Sequence, residues 1–264
     1  MKTQTTLSAL FLSLGVLSTQ AYDGAVTVVS RAGIGNGGAA YSGGPSGGGA
    51  FRVTADAALD PMVLTGGPNV TALNANQFLT FCIERNEFIN YGGVYKVNIA
   101  EAADKGGIGD SDGNSLTPDP ISLSTAWLFR KFTDGTLNSD VSGFSYNDQG
   151  GNRLQAAIWF LENEIADAVP NSSFRFLVDA AMVGTGFVRP VTGFDPSDYA
   201  AARVLNNDAT YGVKVLNMYT TPTSGLKYHQ DLLVVVVPEP STYLAGGLAL
   251  LPLLVGLRAR LRNR

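Results

Sequence analysis

Residues 22–237 predict an α+β domain: a mostly antiparallel sheet, sandwich- or barrel-like, with a small helical insertion at about residues 120–170. Three observations predict it. Short β-branched and aromatic runs lie before the insertion, two apolar series at helical spacing fall within it, and six consecutive apolar residues close the stretch.

In chain order, 25–30 reads as a strand because Val26, Thr27, Val28 and Val29 are β-branched, and the Gly-rich segment 33–49 that follows reads as a loop. Segments 51–54, 77–83 and 93–99 read as further strands, with alternation clearest in the last. A polar loop covers 106–120. Helical spacing then places Leu123, Trp127, Leu128 and Phe132 on one side of a helix over 122–132, closed by Asp134 and Gly135. Leu154, Ile158, Leu161 and Ile165 repeat that pattern over 154–168, ahead of Pro170. The rest reads as mixed strand and loop up to a buried last strand over 232–237. No internal repeat is visible.

The two ends belong to export rather than to the fold. Residues 1–21 carry Lys2, an apolar stretch over 7–17 and a small residue, Ala21, at the final position, the pattern of a cleaved secretion signal. At the other end Pro238, Glu239, Pro240 and Ser241 precede an apolar run over 243–257, and four arginines fall within the last seven residues. Such a cluster fixes the tail on the cytoplasmic side. Gly246, Gly247 and Pro252 interrupt the run, which suits a temporary anchor better than a permanent span.

Residues 238–264 in this three-part order resemble the PEP-CTERM sorting signal of Gram-negative bacteria. The resemblance implies recognition by an exosortase, a membrane-embedded cysteine transpeptidase-like enzyme. It further implies removal of the span and release to the cell surface or an exopolysaccharide matrix. A simple tail anchor that is never cut is the alternative.

Charge and cysteine content narrow the middle part. Without Lys2 and the tail arginines 13 basic residues remain, and without Glu239 21 acidic ones, a net charge of about −8. That sign opposes binding to nucleic acid or to an anionic membrane. With a single cysteine, Cys82, no internal disulfide framework is available to an exported chain.

Ordinary enzyme chemistry finds few residues. The fingerprint of a dinucleotide loop is incomplete at Gly33 and Gly35, and a serine-hydrolase elbow is absent. Residues 110–114 invite a calcium reading, but glycine comes fourth, at Gly113, where an EF-hand loop wants it sixth, so a solvated turn is expected. No His/Cys cluster has metal-ligand spacing, so neither a metal nor a cofactor is expected. The lone His229 could pair with Cys82 as nucleophile and base, although neither has a protease signature. Glu162 and Glu164, two apart on a helix, read as a solvated face. The expectation is a surface binding or structural protein, not an enzyme.

The one thiol suggests what such a protein does. Phe81, Cys82, Ile83 and Glu84 stand at the end of a predicted strand, and Leu154, Gln155, Ala156, Ala157, Ile158 and Trp159 open the second predicted helix. Together they resemble the two motifs of the thioester domains of bacterial surface adhesins. The resemblance implies that the Cys82 thiol attacks the Gln155 carboxamide, ammonia leaves, and the internal thioester acylates an amine on the target. Phe81 and Trp159 are then candidates to shield the bond. Gln155, placed in the first turn of its helix, is expected to set the developing oxyanion near free backbone N–H groups. A non-covalent matrix protein with a buried free cysteine is the competing reading, and an amine-bearing surface or a polysaccharide is the target class.

Overall fold

The computed structural model describes residues 22–31, 50–67, 73–85, 87, 89–104, 118–165, 172–189, 193–220 and 227–237. The signal segment, the Gly-rich loop, the calcium-like turn with Asp110 and Asp112, and the sorting residues Pro238, Glu239 and Pro240 lie outside them. Among the described residues no helix is long and apolar enough to cross a membrane.

The fold is α+β. Strands β1 (Gly24–Arg31), β2 (Phe51–Ala55), β3 (Gln77–Thr80) and β4 (Val94–Ala100) come first, and β5 (Ala102–Ala103) pairs with β6 (Asp119–Pro120) as a separate ribbon. Helices α1 (Leu123–Thr133), α2 (Leu137–Asp140), α3 (Asp148–Leu161), α4 (Arg175–Gly184) and α5 (Pro196–Arg203) follow. Strands β7 (Val213–Thr220) and β8 (Lys227–Val235) complete the chain. The main sheet is antiparallel throughout, in the order β3-β2-β1-β4-β7-β8.

This sheet curls into a half-barrel until its two ends meet. Single antiparallel bridges join Cys82 to Leu232 and Val63 to Val236, and the Leu64 N–H donates to the Val235 carbonyl at 2.8 Å. One apolar cluster takes residues from all six strands, among them Val28, Val53, Phe78, Val97, Met218 and Leu232, and so fills the inside of the curl. A second cluster packs the helices against the outer face, where Phe81, Ile83, Val215 and Leu233 meet Phe129, Phe132, Leu154 and Ile158. Alternation along the strand explains the division: Phe81 and Ile83 turn outward to the helices, Cys82 inward.

The helical part is larger than the sequence predicts. It runs from Leu123 to Arg203, because α4 and α5 occupy a region read as strand and loop. In α4, Leu177, Val178, Ala181 and Met182 form a buried stripe at helical spacing, and at the start of α5 Asp195 and Asp198 make a reciprocal capping box on either side of Pro196. Helix α3 also differs from the expected 154–168. It begins six residues earlier, where Asn147 accepts from the Gly150 N–H at 2.8 Å, and ends at Leu161, with Asn163 in the left-handed region at φ 60°.

Gly184, the last residue of α4, lies flat under the Trp127 ring, where an added Cβ would stand 2.3 Å from the indole. Helix propensity favours Ala over Gly by about 1 kcal/mol, while overpacking a filled core costs about 1–3 kcal/mol. Trp127 is backed by the helical core, so the clash should prevail. Gly184→Ala is expected to lower the melting temperature by several degrees, checked by thermal denaturation.

Candidate functional site

The residues on either side of Cys82, just past the end of β3, are held to β8. The Leu233 N–H donates to the Phe81 carbonyl at 3.1 Å, the Ile83 N–H donates to the Asp231 carbonyl at 3.1 Å, and the Thr80 hydroxyl donates to the Leu233 carbonyl at 2.6 Å. The segment is therefore clamped to β8 just where the sheet closes. Across it lies α3, whose residues Leu154, Ala157, Ile158 and Leu161 are buried and fix the rotation of the helix.

That rotation brings Gln155 onto Cys82. The Cys82 N–H donates to Gln155 Oε1 at 3.1 Å, and Gln155 Nε2 donates to the Cys82 carbonyl at 2.8 Å. Both residues are buried, Cys82 at 3% exposure and Gln155 at 2%. The primary amide thus pairs edge to edge with the backbone of the residue that bears the thiol, and its carbonyl carbon is held within a side chain's reach of the Cys82 Cα. Residues 73 apart in sequence are fixed by two hydrogen bonds in a water-poor setting.

The chemistry of this pairing is directional. Gln155 Oε1 is the atom that would carry negative charge if a nucleophile added to the amide carbon, and it already receives a backbone N–H. That donor is not the one the sequence suggests. Gln155 is the eighth residue of α3 rather than a member of its first turn, so the free N–H groups of the helix start are two turns away. The N–H of Cys82 takes their place.

The aromatic neighbours divide. Phe81 is fully buried on the opposite face, edge-on to Phe129 and Phe132 at ring separations of 6.3 and 5.0 Å. It supports the strand from the helical core. Trp159, one turn on from Gln155, packs against the cluster that contains Cys82, and its buried indole N–H has no hydrogen-bond partner. His229 brings Nε2 to the Thr220 hydroxyl at 2.9 Å and sets its ring against Tyr95.

A group of buried carboxyls beside the pair was not legible as part of the site. Glu162 and Glu164 are buried, not solvated as the sequence suggests. Glu162 accepts from the Ser122 N–H at 3.1 Å and from the Ser122 hydroxyl at 2.8 Å, tying the end of α3 to the start of α1. Burial pushes its carboxyl up to about 7, against the downward pull of Thr125 and Ser122. Glu164 accepts from the Arg85 N–H at 2.9 Å. Glu84 is 1% exposed, and burial, followed by the charges of Glu164, Glu87, Asp231 and Asp119, drives its carboxyl up to about 10. Asp231, also buried, is held well above the ordinary carboxylate range, again by burial first. One signal for Glu162 was present: it continues the i, i+4 series of Leu154 and Ile158 onto the buried face.

No known family model matches this chain, and neither a curated protein nor a solved structure is significantly similar to it.

Proposed function

We propose that this chain is an exported surface or extracellular-matrix protein whose Cys82 and Gln155 close into an internal thioester that acylates amines on a target. The observation that carries the reading is the reciprocal pairing of the buried Gln155 amide with the Cys82 backbone. In the closing step Cys82 Sγ bonds to Gln155 Cδ, the C–N bond breaks, and the nitrogen leaves as ammonia with the thiol proton. A primary amine then displaces sulfur, leaving a permanent amide at position 155 and a free thiol at Cys82. The protein is consumed once and is not an enzyme. Storage of a reactive acyl group requires that water be kept away, and the buried position of the pair meets that need. Trp159 covers the bond from the helix side.

Export follows from the ends: residues 1–21 direct secretion, and residues 238–264 insert as a short span that an exosortase recognises at Pro238, Glu239 and Pro240. The domain between them, 22–237, is delivered to the surface or matrix, facing a protein or polysaccharide that bears amines.

Intact-mass spectrometry tests the chemistry. The folded protein should weigh one ammonia less than its sequence, gain the mass of methylamine when treated with it, and lose both properties in Cys82→Ala and Gln155→Ala. Full mass together with ready native-state labelling of Cys82 by a thiol reagent would leave the non-covalent matrix protein as the better reading.

A further inference from the structure

Two hydrogen-bonded ties join the Cys82 segment to α3 and the residues just after it. Cys82 meets Gln155 at one end, and the Arg85 N–H meets Glu164 at the other. Between them lie Glu84 on the strand side and Trp159 on the helix side. Each carries a buried polar atom without a hydrogen-bond partner: Oε2 of Glu84 and Nε1 of Trp159. A buried polar group left unpaired costs about 1–3 kcal/mol, so each of these groups calls for a physical reason.

Glu84 follows Cys82 by two residues, just past a bend at Ile83, and is 1% exposed, so its carboxyl is buried within two residues of the thiol. Its backbone is fixed, since Gln230 Nε2 donates to the Glu84 carbonyl. Glu164 follows α3, Asp231 lies on β8, Asp119 on β6 and Glu87 three residues ahead, all close enough to oppose a negative charge on Glu84. Among the described residues no three such groups converge to hold a metal ion. Burial first, and then these neighbouring charges, keep a proton on Glu84 at neutral pH, up to about 10. Oε2 of that carboxyl has no hydrogen-bond partner.

We propose that Glu84 is the group that moves the proton in the exchange between Cys82 and Gln155, an inference that rests on the thioester reading. As Sγ–Cδ forms and Cδ–Nε2 breaks, the nitrogen must gain a proton and the sulfur must lose one. Glu84 gives its proton to the departing nitrogen and recovers one from the thiol, so the carboxyl ends as it began and only ammonia is lost. When a target amine opens the thioester the same carboxyl relays the amine's proton to the Cys82 sulfur. Without such a relay a buried thiol would have to ionise unaided in an acidic neighbourhood, which that neighbourhood opposes.

The test uses the full-length chain with Glu84→Gln, Glu84→Asp and Cys82→Ala, read by intact mass and methylamine uptake. Glutamine matches a neutral carboxyl in shape but cannot relay a proton. Glu84→Gln should fold like wild type yet close the thioester or take up methylamine roughly 10²–10⁴-fold more slowly, the range of general acid–base assistance. Glu84→Asp should restore part of the rate, which a purely structural role would not do. In wild type, uptake corrected for the free-amine fraction should fall above about pH 10, as the carboxyl gives up its proton. Glu84→Gln at wild-type rate overturns the inference. If that variant fails to fold, the wild-type pH profile decides, and uptake that keeps rising above that pH overturns it equally. A wild-type protein at full mass would instead overturn the thioester itself, so the two failures are told apart.

Discussion

The folded protein is expected to be most stable in mildly acidic solution and to lose stability steadily as the pH rises towards 9 or so. The cause is the set of buried carboxyls around the Cys82 segment. Glu162 is raised to about 7, Glu84 to about 10, and Asp231 well above its ordinary range, in each case chiefly because burial penalises the charged form. A carboxyl raised by folding binds its proton more tightly in the native state than in the unfolded chain. Its contribution is fully present below the unfolded value and declines as pH climbs towards the folded one. Glu162 is spent by about pH 7, while Glu84 goes on eroding stability up to about 10. Exposed carboxyls act in the opposite sense. Asp140 is lowered by Lys131, Asp195 by Ser197 and Asp208 by Thr210, so stability also falls where these are protonated, below about pH 4. Melting temperatures measured at about pH 5, 7 and 9 should therefore descend. Glu84→Gln, which cannot ionise, should flatten the upper part of that slope and melt higher than wild type at pH 9. A wild-type protein that gains stability between pH 5 and 9 would contradict the burial of these groups.

Strand Val94–Ala100 was legible because Tyr95 and Val97 are buried in alternation with exposed Val94 and Lys96, and most of its residues are β-branched or aromatic. So was the pair itself, through the short motifs around Cys82 and Gln155. The start of α3 was not. Its first turn contains Gly150 and Gly151, poor helix formers, yet at Gly150 the Ser145 carbonyl comes so near that an added Cβ would stand 1.9 Å from it. Glycine is there for a close approach that only the folded chain reveals. Strand β7 escaped notice because Val215, Leu216, Asn217 and Met218 are all buried, and a strand covered on both faces loses its alternation. Glu162 and Glu164 misled for a related reason: an Asp or Glu is almost always solvated, and here tertiary contacts with Ser122 and Arg85 hold the two inside.

Gln155→Glu should abolish the covalent chemistry and, unlike Gln155→Ala, do so with a stability cost that depends on pH. The substitution keeps the size and shape of the side chain and changes only what the paired edge can donate. Cys82 offers one donor and one acceptor, its N–H to Oε1 and its carbonyl to Nε2. A carboxylate can accept the first but sets an oxygen against the carbonyl in place of the 2.8 Å hydrogen bond. Breaking a buried polar pair so that a charge is left uncompensated costs about 3–5 kcal/mol, whereas a protonated carboxyl restores the donor at little cost. Because position 155 is 2% exposed, the introduced carboxyl should hold its proton above the ordinary range. The variant should then approach the stability of Cys82→Ala, which also lacks the thioester, near pH 5 and fall below it as the pH rises. Gln155→Ala leaves both Cys82 groups unpaired at any pH, at about 1–3 kcal/mol each, so its deficit should change little across that range. Neither variant has an amide nitrogen to release, so both should weigh what their sequences require and ignore methylamine. Should Gln155→Glu track Cys82→Ala at every pH, the paired edge is not what holds the two residues together; should it still take up methylamine, the acyl group does not reside on residue 155.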